Sequence, residues 1–251
     1  MISAETFLCF PKLFQNKINI YPPRVKDIVG NSKFNQYLRI LTITQAEIRD
    51  LFEEEKIEGN IPTPFLFMYG NYCRNEEVKK ITEEAFEFFL HQKVTFVPKM
   101  GVILIGEIEK ISDTIKNIED LFYISEKNFF DFQNAIRDSL GIKKEEPELP
   151  PNPEEDPRVR ALKEKFRKGK KKVSEVKAKT GKSLTLETCL VSICCMGIGL
   201  NPLNIGEISY ASVSELMQMY QGKEKYDIDI RSLLAGADSK KVKPEYWIRN
   251  L

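Results

Sequence analysis

The chain is poor in the residues that do chemistry. It holds a single histidine, His91, among 251 residues. A histidine-based metal cluster is therefore excluded, because such sites draw several side chains onto one ion. His91 is left as one general base without a nucleophile signature beside it, or more simply as a surface residue at a helix end. The five cysteines are an odd number, with Cys194 and Cys195 adjacent and Cys189 on the same apolar run. That pattern is neither a secreted disulfide framework nor a zinc spacing, and Cys9 and Cys73 stand alone. A reducing cytoplasm suits it, with the thiols expected as small buried apolar groups. Long apolar runs are also missing. The nearest, Leu184 to Leu200, is interrupted by Thr185, Glu187, Thr188 and Ser192, so no membrane span is expected. The opening residues lack the basic, apolar and small-residue order of a secretory leader. Charge of one sign is not in excess, with 38 basic against 37 acidic residues. Wholesale attraction to nucleic acid or to a membrane surface is thus not expected. Thr180-Gly-Lys-Ser183 resembles the tail of a phosphate-binding loop, but Val176 stands where that loop needs glycine. No catalytic constellation, cofactor site or metal site emerges, and an enzyme is the least expected class.

What is present is a core-forming pattern. Hydrophobic residues make up 42% of the chain, enough for one large or two small domains. From Met1 to Ile142 the period is mainly helical. Ile18 to Tyr21 reads as a short strand ended by Pro22-Pro23. Thr44 and Glu47 form a capping box ahead of a helix striped by Ile48, Leu51 and Phe52. Pro62 and Pro64 mark a break and a fresh helical start. Asn75 caps a helix running to about His91, with Val78, Ile81, Ala85, Phe88 and Phe89 on its apolar side. Val94–Pro98 and Val102–Ile105 predict a hairpin. Ser125 caps a helix through Phe129, Phe130, Phe132, Ile136 and Leu140, stopped at Gly141. The phenylalanines are expected as core filler, the alternative being that some face outward to hold an apolar partner.

Residues 143–182 form a charged hinge. Lys143 to Pro157 contains five prolines and six acidic residues, too little apolar surface to fold alone. Arg158 to Lys182 then holds twelve Lys or Arg against Glu164 and Glu175, with Val159, Leu162 and Phe166 at helical spacing. The segment is either a solvated basic helix facing the acidic linker or a phosphate-contacting element. Aromatic interleaving for base stacking is absent, which favours the first.

Residues 183–251 predict a small helical unit. Leu184, Leu186, Leu190, Ile193, Cys194 and Met196 line a mostly buried helix that ends at Gly197, Gly199 and Asn201-Pro202. Ser212 with Glu215 forms a capping box for a second helix carrying Val213, Leu216, Met217 and Tyr220. That helix is expected to break near Gly222 and to stop at Gly236. Val242, Tyr246, Trp247 and Ile248 form an apolar tail folding back on it. The whole is a mainly helical α+β protein. It has an N-terminal α+β domain at 1–142, a charged Pro-rich linker and basic helix at 143–182, and an all-α domain at 183–251.

The ordered set Gly197-Ile-Gly-Leu-Asn-Pro-Leu203, Tyr210-Ala-Ser-Val213, Met219-Tyr220, Lys225-Tyr226, Ala235-Gly-Ala-Asp238 and Lys243-Pro-Glu-Tyr-Trp-Ile-Arg249 resembles tail assembly chaperones of long-tailed bacteriophages. The resemblance implies a non-virion assembly factor in the host cytoplasm. Such proteins bind the tape-measure protein, keep that long apolar helical chain soluble, and help recruit tail-tube subunits; homo-oligomerisation of this chain on the client is a further expectation. On that reading the preferred client contacts are the apolar residues Leu190, Ile193, Met196, Leu216, Met217, Tyr220, Tyr246 and Trp247, each of which core membership would also explain. Rival readings are a structural tail-tube or connector protein and a nucleic-acid-binding regulator using residues 158–182.

Overall fold

The computed structural model describes residues 2–57, 59–106, 122–145, 158–159, 165 and 185–246. Helix α1 (Ala4–Phe7) is capped by Ser3 and leads into an antiparallel hairpin, β1 (Lys12–Phe14) with β2 (Ile18–Ile20). Gln15 and Asn16 turn it, with φ of 47° and 56°. This is the sign pattern of a type I′ turn, whose twist matches that of paired strands. Helices α2 (Val25–Ile28), α3 (Phe34–Thr42), α4 (Gln45–Glu54), α5 (Pro64–Arg74) and α6 (Glu76–Leu90) follow. A small antiparallel sheet comes next, β3 (Val94–Val97), β4 (Val102–Ile105) and β5 (Tyr123–Ile124), with β4 in the middle. Helix α7 (Glu126–Ser139) completes the body. Helix α8 (Leu186–Cys195), a 3-10 turn (Ile205–Glu207) and α9 (Tyr210–Leu234) form the C-terminal unit. The chain is a mainly helical α+β protein.

The helix starts follow local chemistry. Thr44 accepts from the Glu47 N–H at 3.0 Å while Glu47 accepts from the Thr44 N–H at 2.8 Å, the reciprocal box that opens α4. Thr63 caps α5, with Pro64 at its first position, where a missing N–H costs nothing. Asn75 ends α5 and caps α6, taking N–H bonds from Glu77 and Val78. His91 closes α6 in the left-handed region (φ 53°), exposed and stacked on Tyr21 with ring centroids 4.1 Å apart. The hairpin across Val94–Val97 and Val102–Ile105 is paired as the period change predicts.

The main core is aromatic. Phe86 of α6 stacks on Phe132 of α7 at 5.5 Å, and Phe14, Phe96, Phe89 and Phe129 pack around them, all nearly solvent-free. Ile103 and Ile124, paired across β4 and β5, close the sheet side. Phe7 and Phe10 stand outside the core, 42% and 58% exposed.

Four expectations are corrected. Ser209, not Ser212, caps α9, accepting from the Ser212 N–H; Ser212 sits buried in the first turn, its hydroxyl 2.6 Å from that of Ser209. Helix α9 runs through Gly222 unbroken, because one glycine costs only about 1 kcal/mol in a helix of 25 residues. Helix α8 is not mostly buried: Ile193 alone is solvent-free, and Val191 is 65% exposed. Nor are the cysteines core residues. Cys9, Cys189 and Cys194 are half-buried, and Cys73 and Cys195 are exposed. Leu184, the phosphate-loop-like stretch, most of the hinge and basic segment, Trp247 and Ile248 lie outside the described residues.

Helices α3 and α6 are tied by one polar group set. Glu84 accepts from Lys33 Nζ at 2.7 and 3.0 Å and from the Tyr37 hydroxyl at 3.1 Å. The Lys33 bond holds the Glu84 carboxyl below its ordinary value, and burial, aided by Glu84, pushes Tyr37 up to about 12. A lowered carboxyl stabilises the fold above its unfolded pKa and loses that contribution as pH falls through the folded one. A raised phenol stabilises below about pH 10 and loses its contribution as pH climbs towards 12. In Glu84→Gln the acid-side loss of stability is therefore shallower than in the parent chain. Tyr37 then titrates closer to its ordinary value. Urea midpoints across pH and tyrosinate absorbance read the two effects; parent-like behaviour on both would refute the coupling.

Candidate functional site

The C-terminal unit has its own apolar cluster, and it is completed from outside. Ile193 of α8, Ile205 of the 3-10 turn and Val213 of α9 are buried together with Val25 of α2. Sequence spacing identifies the first and third as helix-face residues. Val25 escapes notice because it stands just beyond Pro22-Pro23, in a helix of four residues with no periodic stripe. The backbone fixes this junction. Val25 donates its N–H to the Ile208 carbonyl at 3.0 Å and Tyr210 donates to the Pro23 carbonyl at 2.9 Å, with Arg24 bridged to Ser209 as in an antiparallel strand. The Tyr210 ring packs edge-on against Phe34 of the main core. Outside, Glu207 pairs with Arg24 at 3.0 Å and with Lys26 at 2.7 Å, and the Lys26 bond leads in keeping its carboxyl low. Two glycines permit the fit. A Cβ on Gly206 would meet Lys26 Cβ at 3.3 Å. One on Gly141, whose φ of +67° already disfavours a side chain, would meet Ala211 Cβ at 3.0 Å.

Around the buried four lies a half-buried rim that includes Leu190, Met196, Leu216 and Met217, so five of the eight residues proposed as client contacts gather in one cluster. Ile193 is its solvent-free centre. Tyr220 lies farther along α9, its phenol raised mainly by its hydrogen bond to Glu224. Tyr246 sits apart from the cluster, edge-on to Tyr226 of α9 at 5.5 Å. Trp247 is outside the described residues.

Among the described residues, the most exposed large apolar side chain is one that periodicity cannot flag. Leu203 is 95% exposed at the tip of the loop between α8 and the 3-10 turn. That loop is hydrogen-bonded to itself. Asn201 Oδ1 accepts from the Leu203 N–H at 2.9 Å, and Asn204 Oδ1 accepts from the Asn201 N–H at 2.8 Å. Asn204 Nδ2 in turn donates to the Gly199 carbonyl at 3.1 Å. Asx turns of this kind hold a backbone shape without burying anything. Ile198, in the same loop, is 49% exposed. The signal available in sequence was Asn-Pro-Leu-Asn, a turn with an apolar residue where polar ones are usual.

His91 and Cys9 both line a crevice of about 600 Å³ beside the junction, together with Arg24, Asp27 and Tyr21. Burial pushes the Cys9 thiol up, away from a reactive thiolate, and its sulfur contacts the Glu207 carbonyl at 3.8 Å. Among the described residues no three His, Cys, Asp or Glu side chains converge as a metal site, and no helix is long and apolar enough to cross a membrane.

Residues 176–251 match the family model of the YomV second domain. This part of the chain is similar to that domain, whose family name derives from a Bacillus prophage and associates the chain with phage proteins. No curated protein matches the chain, and no solved structure matches it.

If Val25 is the plug of the C-terminal cluster, shortening it should loosen that unit first. Val25→Ala, which deletes two buried methyl groups, is expected to cost about 2 kcal/mol. Amide hydrogen exchange should accelerate in α8 and the first turns of α9, while α6 and α7 keep their protection. Uniform acceleration across all helices would show that the cluster is no separate unit of stability.

Proposed function

We propose that this protein is a phage tail assembly chaperone that works by binding alone. Its client is the tape-measure protein, a long apolar helical chain, which it keeps soluble in the host cytoplasm until tail-tube subunits are recruited. The observation that carries the reading is Leu203, almost fully exposed on a loop whose asparagine side chains hold it there. An isolated exposed leucine is ordinary. A leucine presented by a self-bonded loop, with Ile198 in the same loop, is arranged for contact. The methionines on the nearby rim, Met196 and Met217, suit a surface that must fit a repetitive apolar client. The similarity of residues 176–251 to the YomV second domain supports the phage setting. Leu190, Leu216, Tyr220, Tyr246 and Trp247 extend the proposed contact surface, and Ile193 supports it from below. Several copies along one client would multiply weak contacts into firm binding.

Co-expression with the tape-measure protein tests this. The client is expected in the soluble fraction, eluting with this chain, only when both are made. Leu203→Asp should weaken the complex by about tenfold or more, since burying one leucine contributes about 1.5–3 kcal/mol. Its own melting temperature should stay unchanged, because the side chain packs on nothing. A client that is soluble alone, or equally bound by Leu203→Asp, refutes this account of the surface.

A further inference from the structure

Helices α3, α4, α5 and α6 leave an apolar cavity of about 370 Å³ between them. Its walls are Ile40 of α3, Leu51 of α4, Phe67 of α5, and Val78 and Ile81 of α6, all half-buried. It reaches inward to Met68 and Ile43, which are buried. Polar groups around it are turned to the fold. The Ile43 carbonyl accepts from Gln133 Nε2 at 3.0 Å, and Asn71 Nδ2 donates to the Phe67 carbonyl at 2.9 Å. The volume lies within the range of small-molecule sites, about 300–1,000 Å³, and so does the makeup, apolar walls with few polar side chains. A gap of this kind also costs its walls contacts that a seated apolar group would restore.

Two residues of the lining are exposed and polar, Gln36 and Arg39, one turn apart on α3. Arg39 selects the ligand. Among the described residues its guanidinium has no carboxylate or carbonyl partner. It also lines a second hollow with Glu47, Asp50 and Glu54, but those carboxylates are taken. Glu47 accepts from the Thr44 N–H at 2.8 Å, and Asp50 and Glu54 have partners of their own. A guanidinium without a counter-ion suits a carboxylate, which it can hold through two parallel N–H bonds. With one cation beside an apolar interior, the site fits a single negative charge on an apolar tail and not a polyanion.

We propose that this cavity binds an apolar monocarboxylic acid of medium chain length, its tail seated among Ile40, Phe67, Val78 and Ile81 and its carboxylate held by Arg39. The site is separate from Leu203 and does not depend on the chaperone reading.

Octanoate is the probe, titrated by calorimetry into the full chain, with octylamine as a control of the same tail and opposite charge. Octanoate should bind and raise the melting temperature, because a ligand that binds only the folded state stabilises it. Octylamine should bind about tenfold more weakly or not at all. Arg39→Gln should weaken octanoate by about tenfold or more, the loss of a charge-assisted bond, and its exposed position puts folding at no risk. Val78→Phe, which fills the cavity from its wall, should abolish binding, with a thermal melt to show that the variant is folded. Leu203→Asp should leave octanoate binding intact. The proposal is overturned if octanoate does not bind at millimolar concentration, if octylamine binds equally, or if Arg39→Gln or a folded Val78→Phe binds octanoate like the parent. Sedimentation showing a dimer that Val78→Phe dissolves would place a second copy of this chain in the cavity and overturn it too.

Discussion

The structure depends on burying aromatic surface between α6 and α7. Phe86 and Phe132 stack there, and the elements of the N-terminal body gather around the stack: β1 through Phe14, the sheet through Phe96 and α5 through Phe65. Offset and edge-on rings add about 0.5–1.5 kcal/mol per pair beyond area burial, and they also fix angles between elements that apolar contact alone leaves loose. This matters because the strands are short. Three residues in β1 and two in β5 cannot hold a sheet by backbone bonds alone. They are strands because Phe14 and Ile124 are held in the core.

The C-terminal unit solves a different problem. Its cluster is small, and α8 offers it only one solvent-free side chain. A unit of that size gains by borrowing, and Val25 is what it borrows. The Pro22-Pro23 pair makes this possible. It ends β2, presents the Pro23 carbonyl to Tyr210, and sends the chain into α2 beside the 3-10 turn. Glu207 then adds charge pairing at an exposed rim, where the pairs direct the fit more than they stabilise it.

Much of this was legible in the residues. Capping boxes and prolines located α4, α5 and α6 because those signals are local: one side chain answers one backbone group three residues away. The hairpin of β3 and β4 was legible from its period. Helix α3 was not, since Lys33 caps it with no side-chain bond and its stripe of Phe34, Tyr37 and Leu41 is short. Strand β5 pairs with β4 across a long stretch of chain that no window contains, and β1, though paired locally with β2, is too short to show a period. Ser212 misled because serine three residues before glutamate looks like a cap wherever it occurs; Ser209, buried in the junction, had the better claim. At the candidate site the rim residues Leu190, Met196, Leu216 and Met217 were legible as a helical stripe. Val25 and Leu203 were not, the first because its partners are far along the chain, the second because exposure is a property of the fold.

These two residues also show why the site has the form it does. The proposed contact with an apolar client would be weakened by flexible side chains on a loose loop, because ordering them on binding would consume the contact energy. Here the ordering is done in advance. The asparagine bonds fix the Leu203 loop, and the α2 contact fixes the 3-10 turn that follows it. The N-terminal body thus reaches the rim through a short path: the aromatic core holds Phe34, Phe34 packs Tyr210, and Tyr210 begins the helix that carries Leu216 and Met217. A face tied to the core in this way keeps its shape while its outermost side chains stay free of the fold. A substitution at Leu203 can then alter contact without altering stability.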